Sequence, residues 1–207
     1  MELITRTDYD LAAQTNPVYY LNRWPYIAEV LRFLQQLEVK TALEIGPYLL
    51  PMYRGGDIMD KNPDKLPGKH TFTTSIIHDA TQTPWPVVDK AYDVLVALQV
   101  WEHLDTNPIN YQAYCKRKDA FAEAMRVSKA AVLSFPYKWH APGNHHHGID
   151  EKKIEEWTLG LAPKARHLCV PGPEAFRGVF FKDDFEKMVI TNNNPYYQAR
   201  IIYFWEF

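Results

Sequence analysis

The chain has 207 residues, of which 46% are hydrophobic and 23% charged, and its formal net charge is −2. This composition is typical of one globular domain and excludes a disordered or fibrous protein. A nearly neutral chain has no global field that would draw it onto nucleic acid or anionic lipid, so we expect neither partner. No apolar run approaches the ~20 residues of a membrane helix, and we find no signal peptide. With two cysteines in unrelated contexts, Cys115 and Cys169, a reducing cytoplasmic location is expected.

The predicted elements alternate between helices and short strands, which indicates an α/β sheet with right-handed crossovers. In chain order they are an N-terminal arm at 1–24, a helix at 25–39, strands at 41–46, 57–60 and 93–98, a helix at 109–127, a strand at 130–135, a helix at 150–159, a strand at 166–170, a short helix at 182–190 and a strand at 199–207. The helix at 150–159 has Asp150 as its predicted cap and Ile149 placed to pack on Ile154. In the last strand, alternate residues from Ala199 to Phe207 share one face.

Acidic residues recur at the ends of the predicted strands, at Glu44, Asp60, Asp79 and Asp93. In open α/β sheets, ligands bind outside the carboxyl ends of the strands, where the strand order reverses. Gly46 would let a ligand approach the backbone, and Asp60 could accept hydrogen bonds from both ribose hydroxyls. The pattern favours a ligand that contains a nucleoside. The alternative is that these acids only begin loops.

Four stretches of the chain resemble a known family. They are Leu43-Glu44-Ile45-Gly46-Pro47, Asp57-Ile58-Met59-Asp60, His78-Asp79-Ala80, and Asp93 to Leu104 with its final Glu102-His103-Leu104. Together they resemble the class I S-adenosylmethionine-dependent methyltransferases, in the branch called methyltransferase type 11, over residues 25–135. The family usually has Glu-x-Gly-x-Gly after the first strand, whereas here Tyr48 stands at the second glycine.

The resemblance implies a Rossmann-like methyltransferase fold. Such a fold is α/β, with a mostly parallel seven-stranded sheet, an antiparallel last strand and helices on both faces. We therefore expect a single domain over 1–207, with an arm or lid at 1–24, a cofactor-binding core at 25–135 and an acceptor-side part at 136–207. The implied activity is transfer of a methyl group from S-adenosylmethionine to a small-molecule acceptor, since no basic stripe suggests nucleic acid.

The resemblance also implies which residues hold the methionine end of the cofactor. Gly46 and Pro47 would line it, because a side chain there would obstruct the ligand. Glu44 would help to hold the ammonium group. Leu98 and Gln99 would close over the cofactor after the fourth strand.

At the nucleoside end, the resemblance implies that Asp60 takes the ribose hydroxyls, with Lys61 beside it. Asp79 would accept a hydrogen bond from the adenine amino group, and the Ala80 backbone N–H would donate to the ring. Bulky residues near Met59 and Trp85 could sandwich the adenine, although Trp85, between two prolines, also fits plain packing in a turn.

Histidines are the candidate catalytic residues, because imidazole can take a proton near neutral pH. They are His103 and the run His145, His146 and His147, which follows the strand at 130–135. The run is compatible with a solvated loop, with contacts to the acceptor, or with metal binding. Since adjacent histidines cannot all face one ion, we predict no metal site. His103 has a structural alternative, in which it packs and makes hydrogen bonds.

Other interpretations stay open. The tyrosine at position 48 motivates a methyltransferase-like binding or scaffold protein without turnover. An NAD-dependent oxidoreductase is disfavoured, because its pyrophosphate site needs Gly-x-Gly-x-x-Gly. Tyr19, Tyr20 and Trp24 could fold over the cofactor as a lid or pack on the first predicted helix. The aromatic last strand is interpreted as core or as the face of a homodimer.

Overall fold

The computed structural model describes residues 1–20, 23–62, 72–104, 112–138, 149–170 and 199–207. The helix predicted at 182–190 and the run His145–His147 lie outside these ranges. The helices are α1 (Arg6–Thr15), α2 (Pro17–Tyr20), α3 (Trp24–Leu34), α4 (Gln112–Val127) and α5 (Glu151–Trp157). The strands are β1 (Glu2–Leu3), β2 (Ala42–Ile45), β3 (Tyr53–Arg54), β4 (Gly56–Asp60), β5 (Phe72–Ile77), β6 (Val94–Leu98), β7 (Ala130–Pro136), β8 (Ala165–Cys169) and β9 (Arg200–Glu206). None of the described helices is long and apolar enough to cross a bilayer.

Seven strands form one sheet in the order β5-β4-β2-β6-β7-β9-β8. The first five pair in parallel, and β9 runs antiparallel to both β7 and β8. The predicted fold class, with its antiparallel last strand, is therefore confirmed. The chain moves outward from β2 through β4 to β5 and then returns to β6 on the other side of β2. The strand order thus reverses between β2 and β6, which is where such sheets bind ligands.

The core lies on both faces of this sheet, and β9 shows why its sequence alternates. Ile201, Tyr203 and Trp205 pack on the same face as α4 and α5, while Ile202 and Phe204 pack with α3 on the other face. The predicted face of the last strand is confirmed, and these residues are core. Because β9 is buried on both faces, its sequence is a nearly continuous apolar run.

Helix ends follow local signals. The Asp150 side chain caps α5 by accepting a hydrogen bond from the Lys153 N–H, as predicted. The helix predicted at 25–39 ends at Leu34. In the next turn the N–H groups of Gln36 and Leu37 donate to carbonyl groups three residues back, as in a 3-10 helix, instead of four residues back. The sequence prediction missed α1, whose first turn has a capping box between Thr5 and Asp8.

Asp93 lies at the amino end of β6, so it is not one of the acids at the ligand-binding edge. Its carboxylate accepts hydrogen bonds from the N–H groups of Lys40 and Thr41, and Lys129 Nζ lies 2.7 Å away. The hydrogen bond from Lys129, with those from the backbone, holds the pKa of Asp93 well below its usual range. Asp93 therefore connects the start of β6 to the residues just before β2 and β7.

Candidate cofactor site

Gly46, Asp60 and Val100 meet at the point where the strand order reverses. Gly46 follows β2 with φ +60°, and its N–H donates to the Met59 carbonyl at 3.0 Å. A Cβ on Gly46 would lie 3.2 Å from Val100 Cγ2 and 4.0 Å from Asp60 Oδ2. This conformation favours glycine, and a Cβ here would require the Val100 side chain to shift by a few tenths of an ångström. Gly46 and Asp60 are therefore neighbours in the structure. The sequence predicts that Gly46 contacts the methionine end of the ligand and that Asp60 contacts its ribose.

Tyr48, which stands at the position of the family's second glycine, adopts a backbone conformation that favours glycine. Its φ is +59°, in the left-handed region that an L side chain adopts at a cost of roughly 1–2 kcal/mol. Contacts with the arm stabilise it: the Asn16 amide donates to the Tyr48 hydroxyl at 3.0 Å, and the ring centres of Tyr19 and Tyr48 are 4.5 Å apart. The departure from the family pattern thus connects the loop after β2 to the N-terminal arm.

Glu44 is a buried acid beside this loop. It is 5% exposed, and its carboxylate accepts a hydrogen bond from the Met52 N–H. Burial raises the pKa of Glu44 to about 8, against the opposing effect of that hydrogen bond. A positively charged ligand group would favour the ionised form of this carboxyl.

The arm covers the methionine end of the predicted site. A cavity of about 20 Å³ remains there, which is room for about one water molecule. Its walls include Tyr19, Tyr20 and Arg23 from the arm and Glu44, Gly46, Pro47 and Leu98 from the sheet edge. The methionine part of the predicted cofactor does not fit in this volume with the arm in this position. A larger cavity of about 460 Å³ lies between α5, β8 and β9, but it contains none of the predicted site residues.

Asp79 and its neighbours form a structured turn after β5. Asp79 Oδ1 accepts hydrogen bonds from the N–H and the hydroxyl of Thr81, and Lys61 Nζ lies 3.9 Å from Oδ2. Burial opposes ionisation of Asp79, but the bonds from Thr81 and the charges of Lys61 and Lys116 lower its pKa. The Asp79 carboxylate is thus held as an acceptor at the sheet edge.

Trp85 and Met59 are buried in the core, at 2% and 0% exposure, so their side chains cannot sandwich a base. The Trp85 indole donates to the Ala80 carbonyl at 3.0 Å. The turn-packing alternative therefore holds for Trp85, and a sandwich by other bulky residues near these two stays a prediction. Ala80 is itself buried.

Leu98, the last residue of β6, and Gln99, the residue that follows it, have different contacts. Leu98 lines the cavity, whereas the Gln99 side chain donates to Ser134 Oγ at 3.1 Å and is directed toward β7. His103 is exposed, in the short 3-10 turn at Trp101–His103. Its catalytic role stays a prediction, as do the roles of His145–His147. Among the described residues, no group of three His, Cys, Asp or Glu side chains is placed to hold a metal ion.

No protein-family model matches this sequence, and the search of curated proteins found no match. The structure, in contrast, is similar to solved methyltransferases. N-methyltransferase NodS from Bradyrhizobium japonicum WM9 is 15% identical, with a TM-score of 0.57 over 92% of this chain and 97% of that one. Its complex with S-adenosyl-L-homocysteine has a TM-score of 0.55 at 15% identity, over 88% of this chain and 85% of that one. Magnesium protoporphyrin IX methyltransferase (ChlM) from Synechocystis PCC 6803, with bound SAM, has a TM-score of 0.53 at 13% identity, over 90% and 80% of the two chains.

The chain has the class I methyltransferase fold. Within this methyltransferase fold, sequence reasoning missed two buried charged residues at the same sheet edge, Glu102 and Arg200, and the arm residue Arg23. A signal for Arg200 was present, because it is the one charged residue in the otherwise apolar stretch from Ala199 to Trp205. Glu102 stood inside the Glu-His-Leu motif but was given no role.

Proposed function

We propose that this protein is an S-adenosylmethionine-dependent methyltransferase that acts on a small-molecule acceptor. The convergence of Glu44, Gly46 and Asp60 where the strand order reverses carries this proposal. A buried carboxyl suits an ammonium group, a glycine at a crowded position with positive φ suits a close ligand, and a strand-end aspartate suits a ribose diol. The neighbours with bound cofactor or cofactor product, NodS and ChlM, support the same assignment.

Each part of the site has a distinct task in this proposal. S-adenosylmethionine, when bound, supplies a methyl group on a positively charged sulfur. Glu44 holds the ammonium group, Asp60 accepts from the ribose hydroxyls, and Asp79 accepts from the adenine amino group. The arm excludes water from the methionine end. The protein's contribution is then alignment, which can lower a barrier by up to ~7–11 kcal/mol in ideal cases.

The acceptor is assigned only as a small molecule. NodS is described as an N-methyltransferase and ChlM as acting on magnesium protoporphyrin IX. These descriptions do not select an acceptor for this chain.

A binding protein without turnover is the second candidate, and Tyr48 favours it. Through Asn16 and Tyr19, this residue holds the arm over a cavity of about 20 Å³. If the arm stayed in this position, the methionine part of the cofactor would not fit in this cavity.

Calorimetric titration with S-adenosylmethionine, S-adenosylhomocysteine and NAD tests the proposal. We expect the first two to bind and NAD not to bind. Binding of NAD alone would favour an oxidoreductase, and binding of none would favour the scaffold. Transfer of labelled methyl from S-adenosylmethionine to components of a metabolite extract then separates an enzyme from a cofactor-binding protein without turnover.

A further inference from the structure

Strand β8 forms one edge of the seven-stranded sheet. It is last in the strand order, and among the described strands it pairs only with β9. Its register with β9 runs from Ala165 to Cys169 without a bulge, and its sequence contains no proline. Edge strands in natural proteins usually carry a bulge, a proline or charges that prevent another strand from pairing with them. Because β8 has neither of the first two, its charges decide whether a strand can pair there.

Exposed apolar side chains are concentrated near this edge. In the described part of the chain eight large apolar side chains are exposed, and four of them lie within residues 159–170. Two of the four are Leu168, which is 39% exposed, and Val170, which is 49% exposed and follows the last residue of β8. Both share one face of the strand with Arg166, because alternate residues of a strand point the same way. Apolar side chains grouped at an unpaired edge mark a surface for association.

The basic residues of this edge are engaged within their own chain. Arg166, the one residue of β8 with a permanent charge, forms a side-chain hydrogen bond with Tyr203 on β9. Lys164, just before the strand, forms an ion pair with Glu206. The amino half of the edge is therefore basic and the carboxyl half is apolar. An antiparallel partner strand with the same distribution would place apolar groups opposite the basic ones.

The sequence of β8 is complementary to itself in one register. A two-fold axis perpendicular to the sheet places two copies of the strand antiparallel, as in an isologous dimer. With the axis at Leu168, this residue lies opposite Leu168 of the partner subunit, and Arg166 lies opposite the partner's Val170. On the other face of the sheet, His167 lies opposite the partner's Cys169. None of these directly opposed pairs contains two like charges.

The two neighbouring registers are less favourable. With the axis at Arg166, two guanidinium groups lie directly opposite each other, which is destabilising. With the axis at His167, the two copies of Arg166 become diagonal neighbours about 7–8 Å apart. The axis at Leu168 separates the arginines further than either alternative and places two apolar side chains together at the centre.

We propose that this protein forms a homodimer in which β8 pairs antiparallel with β8 of a second copy, about a two-fold axis at Leu168. The sheets of the two subunits then form one continuous sheet. The cavity of about 460 Å³ between α5, β8 and β9 has Arg166 in its lining, so the partner's Val170, opposite Arg166, would lie beside it. This inference goes beyond the proposed function and does not depend on it, because none of these residues belongs to the candidate cofactor site.

Sedimentation equilibrium over a range of protein concentrations tests the dimer. The wild type should be largely dimeric at about 100 μM. Leu168→Lys should weaken association by about tenfold or more, because it places two ammonium groups directly opposite each other at the two-fold axis. Val88→Lys is the matched control, because it introduces the same charge at an exposed apolar residue outside β8, and it should associate as the wild type does. Circular dichroism confirms the fold of each variant.

Disulfide cross-linking tests the register. The background carries Cys115→Ser and Cys169→Ser, so that only the introduced cysteine reacts. Leu168→Cys should form a disulfide between subunits, because directly opposed residues have Cβ atoms ~4.5–5.5 Å apart. Arg166→Cys is the matched control. With the axis at Leu168 its two copies are offset by four residues, which is roughly 14 Å along the strand and beyond the reach of a disulfide.

Three outcomes would overturn the proposal. The first is a wild type that stays monomeric at every concentration, which would mean that this edge is unpaired or binds a different protein. The second is a Leu168→Lys protein that dimerises as tightly as the wild type. The third is a cross-link in Arg166→Cys without one in Leu168→Cys. Failure of the proposed function is distinguishable from all three, because it would appear as a wild type that does not bind S-adenosylhomocysteine, whatever its oligomeric state.

Discussion

At the scale of single residues, the end of the strand on which an aspartate lies decides its role. Asp60 closes β4 at the carboxyl edge of the sheet, and a Cβ on Gly46 would lie 4.0 Å from its Oδ2. Asp93 opens β6 at the opposite edge and accepts hydrogen bonds from the backbone of Lys40 and Thr41. In the sequence both are acids beside an apolar run. The direction of the strand decides whether such an aspartate is a candidate ligand contact or a structural residue that binds neighbouring backbone N–H groups.

The two aspartates therefore predict opposite effects for the same substitution. Asp60→Ala should weaken the binding of S-adenosylhomocysteine by ~1.5–3 kcal/mol, the range for hydrogen bonds to a charged group, and leave the free energy of unfolding nearly unchanged. Asp93→Ala should lower the free energy of unfolding by ~1–3 kcal/mol and leave the affinity unchanged, because it removes the acceptor of two backbone N–H groups. Calorimetry and urea unfolding measure the two quantities.

Each variant serves as the control of the other. Unchanged affinity in a folded Asp60→Ala protein would remove Asp60 from the cofactor site. Loss of affinity in Asp93→Ala beyond what its instability explains would contradict the structural role given to that residue.

At the scale of elements, the N-terminal arm is the part that sequence reasoning read least well. The capping box of α1, Thr5-x-x-Asp8, is a local signal that marks the start of this helix in the sequence. The sequence left the position of the arm open between a lid over the cofactor and packing on the first helix, because the position depends on contacts between residues distant in the chain, such as Asn16 and Tyr48. The short β1–β3 ribbon, with Leu3 opposite Tyr53, is equally non-local.

Tyr48 predicts how firmly the arm is held. Tyr48→Gly removes the ring contact with Tyr19 and the hydrogen bond from Asn16, and it relaxes a backbone conformation that glycine adopts freely. We expect amide hydrogen exchange in residues 6–20 to accelerate by roughly fivefold or more, which corresponds to ~1 kcal/mol of lost local stability. Exchange in β6 and β7 should not change.

Tyr48→Phe is the matched variant for this measurement. It keeps the ring and removes only the hydroxyl, so its exchange rate in the arm should lie between those of the wild type and Tyr48→Gly. Wild-type exchange rates in both variants would show that other contacts hold the arm.

At the scale of the whole molecule, the fold followed from the sequence because its strongest signals are local and repeated. The apolar runs of β6 and β7 are those of strands buried on both faces, and one face of β9 was readable from its alternation. Gly46 and Asp60 were readable because each lies at the carboxyl end of a strand. Arg23 and Arg200 were not assigned, because their meeting at Tyr26 joins the two ends of the chain.

Buried acids should also make the stability of the whole molecule depend on pH. Burial raises the pKa of Glu44 and of Glu102 to about 8, above the ~4.3 of an unfolded chain. Between these values the folded state holds protons that the unfolded state has lost, so the free energy of unfolding falls as pH rises. The contribution is fully present below about pH 4.3 and is lost as pH rises through about 8.

Glu44→Gln should remove the share of this pH dependence that Glu44 contributes. Glutamine keeps the size and an acceptor for the Met52 N–H, but it cannot ionise. The stability of the variant relative to the wild type should therefore increase by on the order of 2–4 kcal/mol between pH 5 and pH 8, as measured by urea unfolding at both values. Glu38→Gln, at an exposed position, gives the baseline. An equal fall in stability for Glu44→Gln and the wild type would mean that Glu44 is ionised in the folded protein, and that its burial does not hold the proton on this carboxyl.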